Sequence, residues 1–155
     1  MLAKIQTLLV LLFLSFSLPI YANEHNNTVH NLETNATLTR TYWRLISLSN
    51  HTMSLEKMRR EAHIIFSDIV DGKGRLKGAS GCNDMLGKYV RDEQNISIDT
   101  KHIAMTRMAC PENNVEIAFL KAMEGTVKWQ ITNHHLEFMD INSSVLAEFT
   151  AKKLK

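Results

Sequence analysis

The sequence has 155 residues, with 18 Lys and Arg against 16 Asp and Glu, a formal net charge of +2. That length suits one domain with one modest core. A balance so close to neutral gives no electrostatic basis for binding nucleic acid.

Residues 1–22 read as a secretory signal peptide. Lys4 supplies one positive charge, Ile5 to Leu18 is almost wholly apolar, and Pro19 and Ala22 precede polar Asn23. The order predicts cleavage near Ala22. The apolar stretch is shorter than the roughly 20 residues of a membrane span. No basic stop-transfer cluster follows it, and no later run approaches a span. No membrane span is therefore expected after cleavage, and no cysteine follows the apolar core to take a bacterial lipid anchor. The product is expected to be soluble, monomeric, and periplasmic or secreted.

Residues 23–39 are rich in Asn, Thr and His and read as a flexible polar leader. Their apolar positions, Val29, Leu32 and Leu38, are candidates for local docking. The domain proper is expected over 40–150, followed by a solvated basic tail, 151–155, with Lys152, Lys153 and Lys155.

Tyr42 to Leu48 alternates as a strand, with Trp43, Leu45 and Ser47 on one face and Tyr42, Arg44, Ile46 and Leu48 on the other. Ser54 to Glu61 is a short helix or an irregular loop. Ala62 to Ser67 is a second strand, and Asp71-Gly72 with Lys73-Gly74 marks a turn. Arg75 to Ala79 is a third strand, in which Gly78 signals a bulge or a close backbone approach. Ser80-Gly81-Cys82-Asn83 is a tight loop whose Gly81 and Asn83 tolerate left-handed angles. Gly87 to Val90 resumes extended structure; Ile96 with Ile98 begins the next alternation, which Ile103 and Met105 continue. Pro111 ends the extended run. Asn113 or Asn114 can cap a helix over Val115 to Glu124, with Glu112 and Glu116 at its N-terminal end and Gly125 as C-cap. Val127 to Thr132, His135 to Met139 and Val145 to Phe149 are three closing strands. The fold class is mainly β, a β-rich α+β: a small curled antiparallel sheet or β-barrel of seven to eight strands with one packed helix.

Cys82 and Cys110 sit in a chain read as exported, and export implies an oxidising compartment. A bridge between them would close a loop of about 30 residues, worth about 3.6 kcal/mol in the chain-entropy account. Two buried free thiols or a metal pair are the alternatives, although no Cys-x-x-Cys or His-x-x-x-His spacing supplies the four ligands zinc usually takes. No metal site and no cofactor is expected. Ser80 lacks a Gly-x-Ser-x-Gly elbow. The glycines at 72, 74 and 78 lack the Lys-Ser/Thr end of a phosphate cradle and are assigned to turns. Cys82 as a nucleophile stands behind Cys82 as a bridge partner. Trp43 and Trp129 are assigned to the core, and Asn83 to holding loop backbone. Thr106 and Arg107, together with the flanking Met105 and Met108, are the candidate ligand or partner contacts. Against this stands an arginine that only lays its stem over a barrel edge.

The string Trp43-Arg44-Leu45, Phe66, Gly78-x-x-Gly81-Cys82-Asn83-x-x-x-Gly87-x-Tyr89 and Ala104-Met105-Thr106-Arg107-Met108-Ala109-Cys110-Pro111 resembles the META domain family, the HslJ-like proteins of the bacterial envelope. Glu116, Phe119-Leu120, Trp129-Gln130-Ile131, Leu136-Glu137-Phe138 and Leu146 to Phe149 continue the resemblance over nearly all of 40–150. It implies a small barrel-like fold with a packed helix, secretion, and a link to envelope stress or drug tolerance. The signature loop it implies is Gly81, Cys82, Asn83, Gly87 and Tyr89. The function expected is a non-enzymatic envelope domain acting through contacts with an envelope protein or peptide. The alternatives are a carrier of lipid or another apolar small molecule, lined by methionines and aromatics, and an inhibitor of an envelope enzyme presenting an exposed loop at Ser80 to Lys88.

Overall fold

The structure is a computed structural model that describes residues 36–49, 58–110 and 114–152. The signal peptide, most of the leader, the stretch expected as helix or loop up to residue 57, Pro111 to Asn113 and the end of the basic tail lie outside the described residues.

Among the described residues, nine strands and one α-helix follow in order: β1 Tyr42–Leu48, β2 His63–Phe66, β3 Gly74–Ala79, β4 Asp84–Arg91, β5 Ile96–Ile98, β6 Ala104–Met105, α1 Asn114–Gly125, β7 Lys128–Thr132, β8 His135–Met139 and β9 Val145–Lys152. Eight of them make one antiparallel sheet in the order β5-β4-β3-β2-β1-β9-β8-β7, with β6 a two-residue addition on β4. The sheet curls until its two edges meet. Ile96 donates its N–H to the Val127 carbonyl at 3.0 Å, and Trp129 donates to the Gln94 carbonyl at 3.1 Å. Those two bonds make a near-closed eight-stranded barrel, as the strand count predicted, and they cover edges that would otherwise template aggregation.

Alternation dictates the interior. Trp43, Ile64, Phe66, Leu76, Met85, Tyr89, Leu136, Phe138, Ala147 and Phe149 are all fully buried. An aromatic chain runs through the barrel: Tyr89 meets Phe66 at 4.8 Å between ring centroids, Phe66 meets Phe138 at 6.2 Å, and Phe138 meets Phe149 at 5.0 Å. Phe119 of α1 extends it, 5.8 Å from Phe149. The helix buries Ala118, Phe119, Ala122 and Met123, the face that 3.6-residue spacing places on one side.

Two local expectations change. In β1 the register against β9 slips between Leu45 and Ser47. The extra residue, Ile46, reverses the phase, so Leu48 joins the core and Ser47 turns outward to hydrogen-bond the Glu148 carboxylate. Of the three glycines assigned to turns, only Gly72 serves one. Val70 and Lys73 exchange both backbone hydrogen bonds around Asp71 and Gly72, which have φ of 51° and 73°, a two-residue hairpin loop. Gly74 and Gly78 lie in β3: a Cβ at 74 would enter the Tyr89 ring, and one at 78 would strike the His63 carbonyl oxygen. Gly78 is thus a close backbone approach and not a bulge. Leu38, a candidate for local docking, does dock: it is buried in the main core, and its carbonyl accepts the Trp43 indole N–H at 2.9 Å.

Candidate functional site

The turn from β3 into β4 is built around Gly81, whose φ of 100° suits a residue without a Cβ. Asn83, also expected to tolerate left-handed angles, does not need them: it is absent from the positive-φ residues. Cys82 and Cys110 are joined by a disulfide, with Cα atoms 6.2 Å apart. The bridge leaves no thiolate at Cys82, so the nucleophile alternative falls.

Asn83 is 6% exposed, and its side chain is fully employed. The amide nitrogen donates to the two Glu116 carboxylate oxygens at 3.0 and 3.2 Å. The amide oxygen accepts the Met108 backbone N–H at 2.7 Å and the Thr106 hydroxyl at 3.0 Å. Ser80, completely buried, donates its hydroxyl to the same Glu116 carboxylate. The Thr106 hydroxyl in turn accepts the Asp84 backbone N–H at 3.0 Å. One carboxamide therefore ties three pieces of chain together: the β3–β4 turn, the first turn of α1, and the segment leading to Cys110. Outside this knot, Arg60 pairs with Asp84 and donates its backbone N–H to the Gly81 carbonyl, and Arg59 donates to the Ala109 carbonyl at 3.2 Å.

This geometry assigns structural duties to several residues singled out from the sequence. Asn83 holds backbone as expected, but the backbone of Met108 on another segment. The Thr106 hydroxyl is occupied in both directions and is not free for a ligand. Arg107 is exposed and makes no ion pair or hydrogen bond with a described residue. Met105 and Met108 are half-buried, and Met105 packs on the core. Gly87 and Tyr89 lie further along β4; the Tyr89 hydroxyl donates to the Ser67 carbonyl at 2.6 Å, and burial pushes its pKa up. Glu116 and Ser80 were missed as members of the knot. The signal available for Glu116 was a carboxylate in the first turn of a helix, which helix electrostatics already explains.

A second feature lies where the barrel edges meet. A groove of about 950 Å³ is bounded by Leu38, Arg91, Gln94, Lys128, Trp129 and Ile131 among others. Trp129, assigned to the core, does pack against it, opposite Phe138, and is half-buried at the open edge of β7. The Arg91 guanidinium lies over its ring, 5.6 Å from the centroid, a cation–π arrangement. Its indole nitrogen is buried without a hydrogen-bond partner, unusual for a tryptophan. On the same edge of β7, Trp129 donates to Gln94, and the Asn133 carbonyl accepts from Ala36 at 3.1 Å. Strand alternation aims the N–H and carbonyl of Ile131, midway between them, into the same gap.

A third cluster lies outside the barrel. Tyr42 stacks on His63 at 4.3 Å and donates its hydroxyl to Glu61 at 2.8 Å; Lys152 donates to Glu61 at 2.6 Å. Burial, helped by the Glu61 hydrogen bond and charge, raises the Tyr42 pKa. Burial alone would raise Glu61 too, but hydrogen bonds from Lys152 and Tyr42 outweigh it and hold the carboxyl below its usual range. A tyrosine so protected is no base. Among the described residues no group of three or more His, Cys, Asp or Glu is placed to hold a metal ion, and no helix is long and apolar enough to cross a membrane.

No curated protein matches the chain. A solved protein from Burkholderia xenovorans, determined by NMR, has a similar fold, with a TM-score of 0.57 and 21% identity over 76% of this chain and 85% of that one. A DUF4847-family protein from Bacteroides vulgatus aligns at a TM-score of 0.46 and 13% identity, over 74% of this chain and 94% of that one. Residues 36–153 match the META domain, a span holding the barrel, the helix, the disulfide and the Asn83 knot. The chain belongs to the META domain family.

Proposed function

We propose that this META domain protein is a soluble, non-enzymatic component of the bacterial periplasm that acts through protein or peptide contacts, made at the Trp129 groove. The observation that carries the reading is the pairing of an unpartnered indole N–H with an open stretch of β7 edge at Ile131. Peptide backbone laid along the edge would satisfy the second, and the first, buried as it stands, would reach a peptide carbonyl through a shift of the half-buried Trp129 ring. The signature loop, by contrast, spends its polar groups on other segments of the same domain. A tie to envelope stress or drug tolerance belongs to this reading through the family resemblance.

The competing readings have less to stand on. A carrier with an internal site meets the aromatic chain from Tyr89 to Phe149, which occupies the barrel interior. An inhibitor presenting Ser80 to Lys88 as an exposed loop meets a buried Ser80–Asn83 turn and a strand from Asp84 onward. Native mass spectrometry of the mature protein taken directly from the periplasm tests the proposal. A peptide or protein adduct present in the natural sequence and lost in Trp129→Ala supports it. An adduct that survives the substitution, or a bound lipid instead of a peptide, overturns it.

A further inference from the structure

The outer face of β3 and β4 carries a feature unrelated to the groove or the Asn83 knot. Arg75, Lys77 and Lys88 all point outward and are exposed. Arg75 stands directly opposite Lys88 in the ladder, and Lys77 opposite Leu86. Like charges facing each other across two strands destabilise the sheet. None of the three makes an ion pair or side-chain hydrogen bond with a described residue. Neither nearby acid is paired with them: Asp84 is paired with Arg60, and the Asp99 carboxylate hydrogen-bonds the His102 ring. The apolar members of the same face are uncovered too, Leu86 at 61% exposure and Val90 at 46%. Folding thus leaves three cations without an ion-pair partner among the described residues, interleaved with two aliphatic side chains on one wall.

We propose that this face docks on an anionic lipid bilayer, with Arg75, Lys77 and Lys88 against headgroup phosphates and Leu86 and Val90 at the headgroup–acyl boundary. Charge complementarity selects an anionic partner. The alternation of long basic stems with aliphatic side chains selects a lipid surface over an acidic protein. Lysine and arginine stems lie along an apolar boundary while their heads stay with phosphate, and the outside of a barrel is convex, without a recess to grip a peptide. Each basic side chain near an anionic surface contributes about 1 kcal/mol, or roughly fivefold in partitioning.

The test is flotation of the mature protein with vesicles of phosphatidylglycerol and phosphatidylcholine, against vesicles of phosphatidylcholine alone. Binding is expected only to the anionic vesicles and should weaken steeply with salt. The triple variant Arg75→Gln, Lys77→Gln, Lys88→Gln should lose on the order of 100-fold in partitioning, and Leu86→Ser a smaller factor. Lys121→Gln, on the exposed side of α1, should bind as the natural sequence does. The salt series on the unaltered protein stands even if a variant fails to fold. Equal binding to both vesicle types, no binding, or an unchanged triple variant overturns the proposal. Binding to polyglutamate without binding to vesicles also overturns it, in favour of an acidic protein partner.

Discussion

Replacing Asn83 tests whether one carboxamide holds three segments together. Asn83→Ala removes two bonds to the Glu116 carboxylate and leaves the Met108 N–H and the Thr106 hydroxyl without their acceptor. Two neutral hydrogen bonds contribute about 1 kcal/mol each, and the shared contact of one amide nitrogen with the carboxylate, counted once, about 1.5–3, so the loss should be about 3.5–5 kcal/mol. That is a large fraction of the 5–15 kcal/mol typical of a domain. Asn83→Asp separates the roles of shape and charge. It keeps the acceptor for Met108 but sets a second carboxylate about 3 Å from that of Glu116, where the two cannot both ionise freely. The pair then holds a proton in the folded state that the unfolded chain releases, so stability falls as pH rises. Urea midpoints at pH 5 and pH 7 should show Asn83→Asp closing on the natural sequence at the lower pH, and Glu116→Gln should abolish that pH dependence. A loss under about 1 kcal/mol in Asn83→Ala, or a gap in Asn83→Asp that is the same at both pH values, would refute the account.

Two further substitutions probe other parts of the wall. Gly78→Ala drives a methyl group into the His63 carbonyl on the paired strand and should cost about 1–3 kcal/mol by overpacking; an unchanged thermal midpoint would remove the steric argument. Glu61→Gln should cost no more than about 1 kcal/mol at pH 7, because the Lys152 pair is substantially exposed. The folded pKa of Glu61 is lowered, so its contribution is complete above the ordinary carboxylate range and lost as pH falls through the lowered value. The difference should therefore shrink as the solution is acidified and vanish in strong acid, and a difference that does not shrink with acidification contradicts the ion-pair origin.

Where a strand's phase depends only on its own residues, the sequence is a sufficient guide. Leu136 and Phe138, or Ala147 and Phe149, alternate without interruption and are buried as alternation demands. β1 differs because its bulge at Ile46 is set by the register against β9, and no property of Tyr42 to Leu48 announces it. Glycine is similarly ambiguous. Freedom of φ at Gly72 and lack of a side chain at Gly74 and Gly78 leave the same letter in the sequence, and only the Tyr89 ring and the His63 carbonyl separate the cases. In the candidate sites, the cysteine pair was legible from compartment and count. The partners of Asn83 were not, because Glu116 lies on the far side of the disulfide-closed loop and had a sufficient local explanation. Trp129 stands opposite Phe138 and packs against the core as alternation demands, yet it stays half-buried because its strand is an edge, and strand order is not written locally.

The strand order also sets when the fold can exist. β1 pairs with β9, Tyr42 lying opposite Lys152, so the first and last strands are neighbours in the middle of the sheet. A chain emerging N-terminus first can assemble β1 to β5 as consecutive hairpin partners, but Trp43 and Leu45 lack one wall until β9 arrives. Completion must wait for the C-terminal strand, and the entropy of closing so long a loop precedes the reward of that contact. For a protein read as crossing a membrane unfolded, this is an advantage: the barrel cannot lock while part of the chain is still on the wrong side.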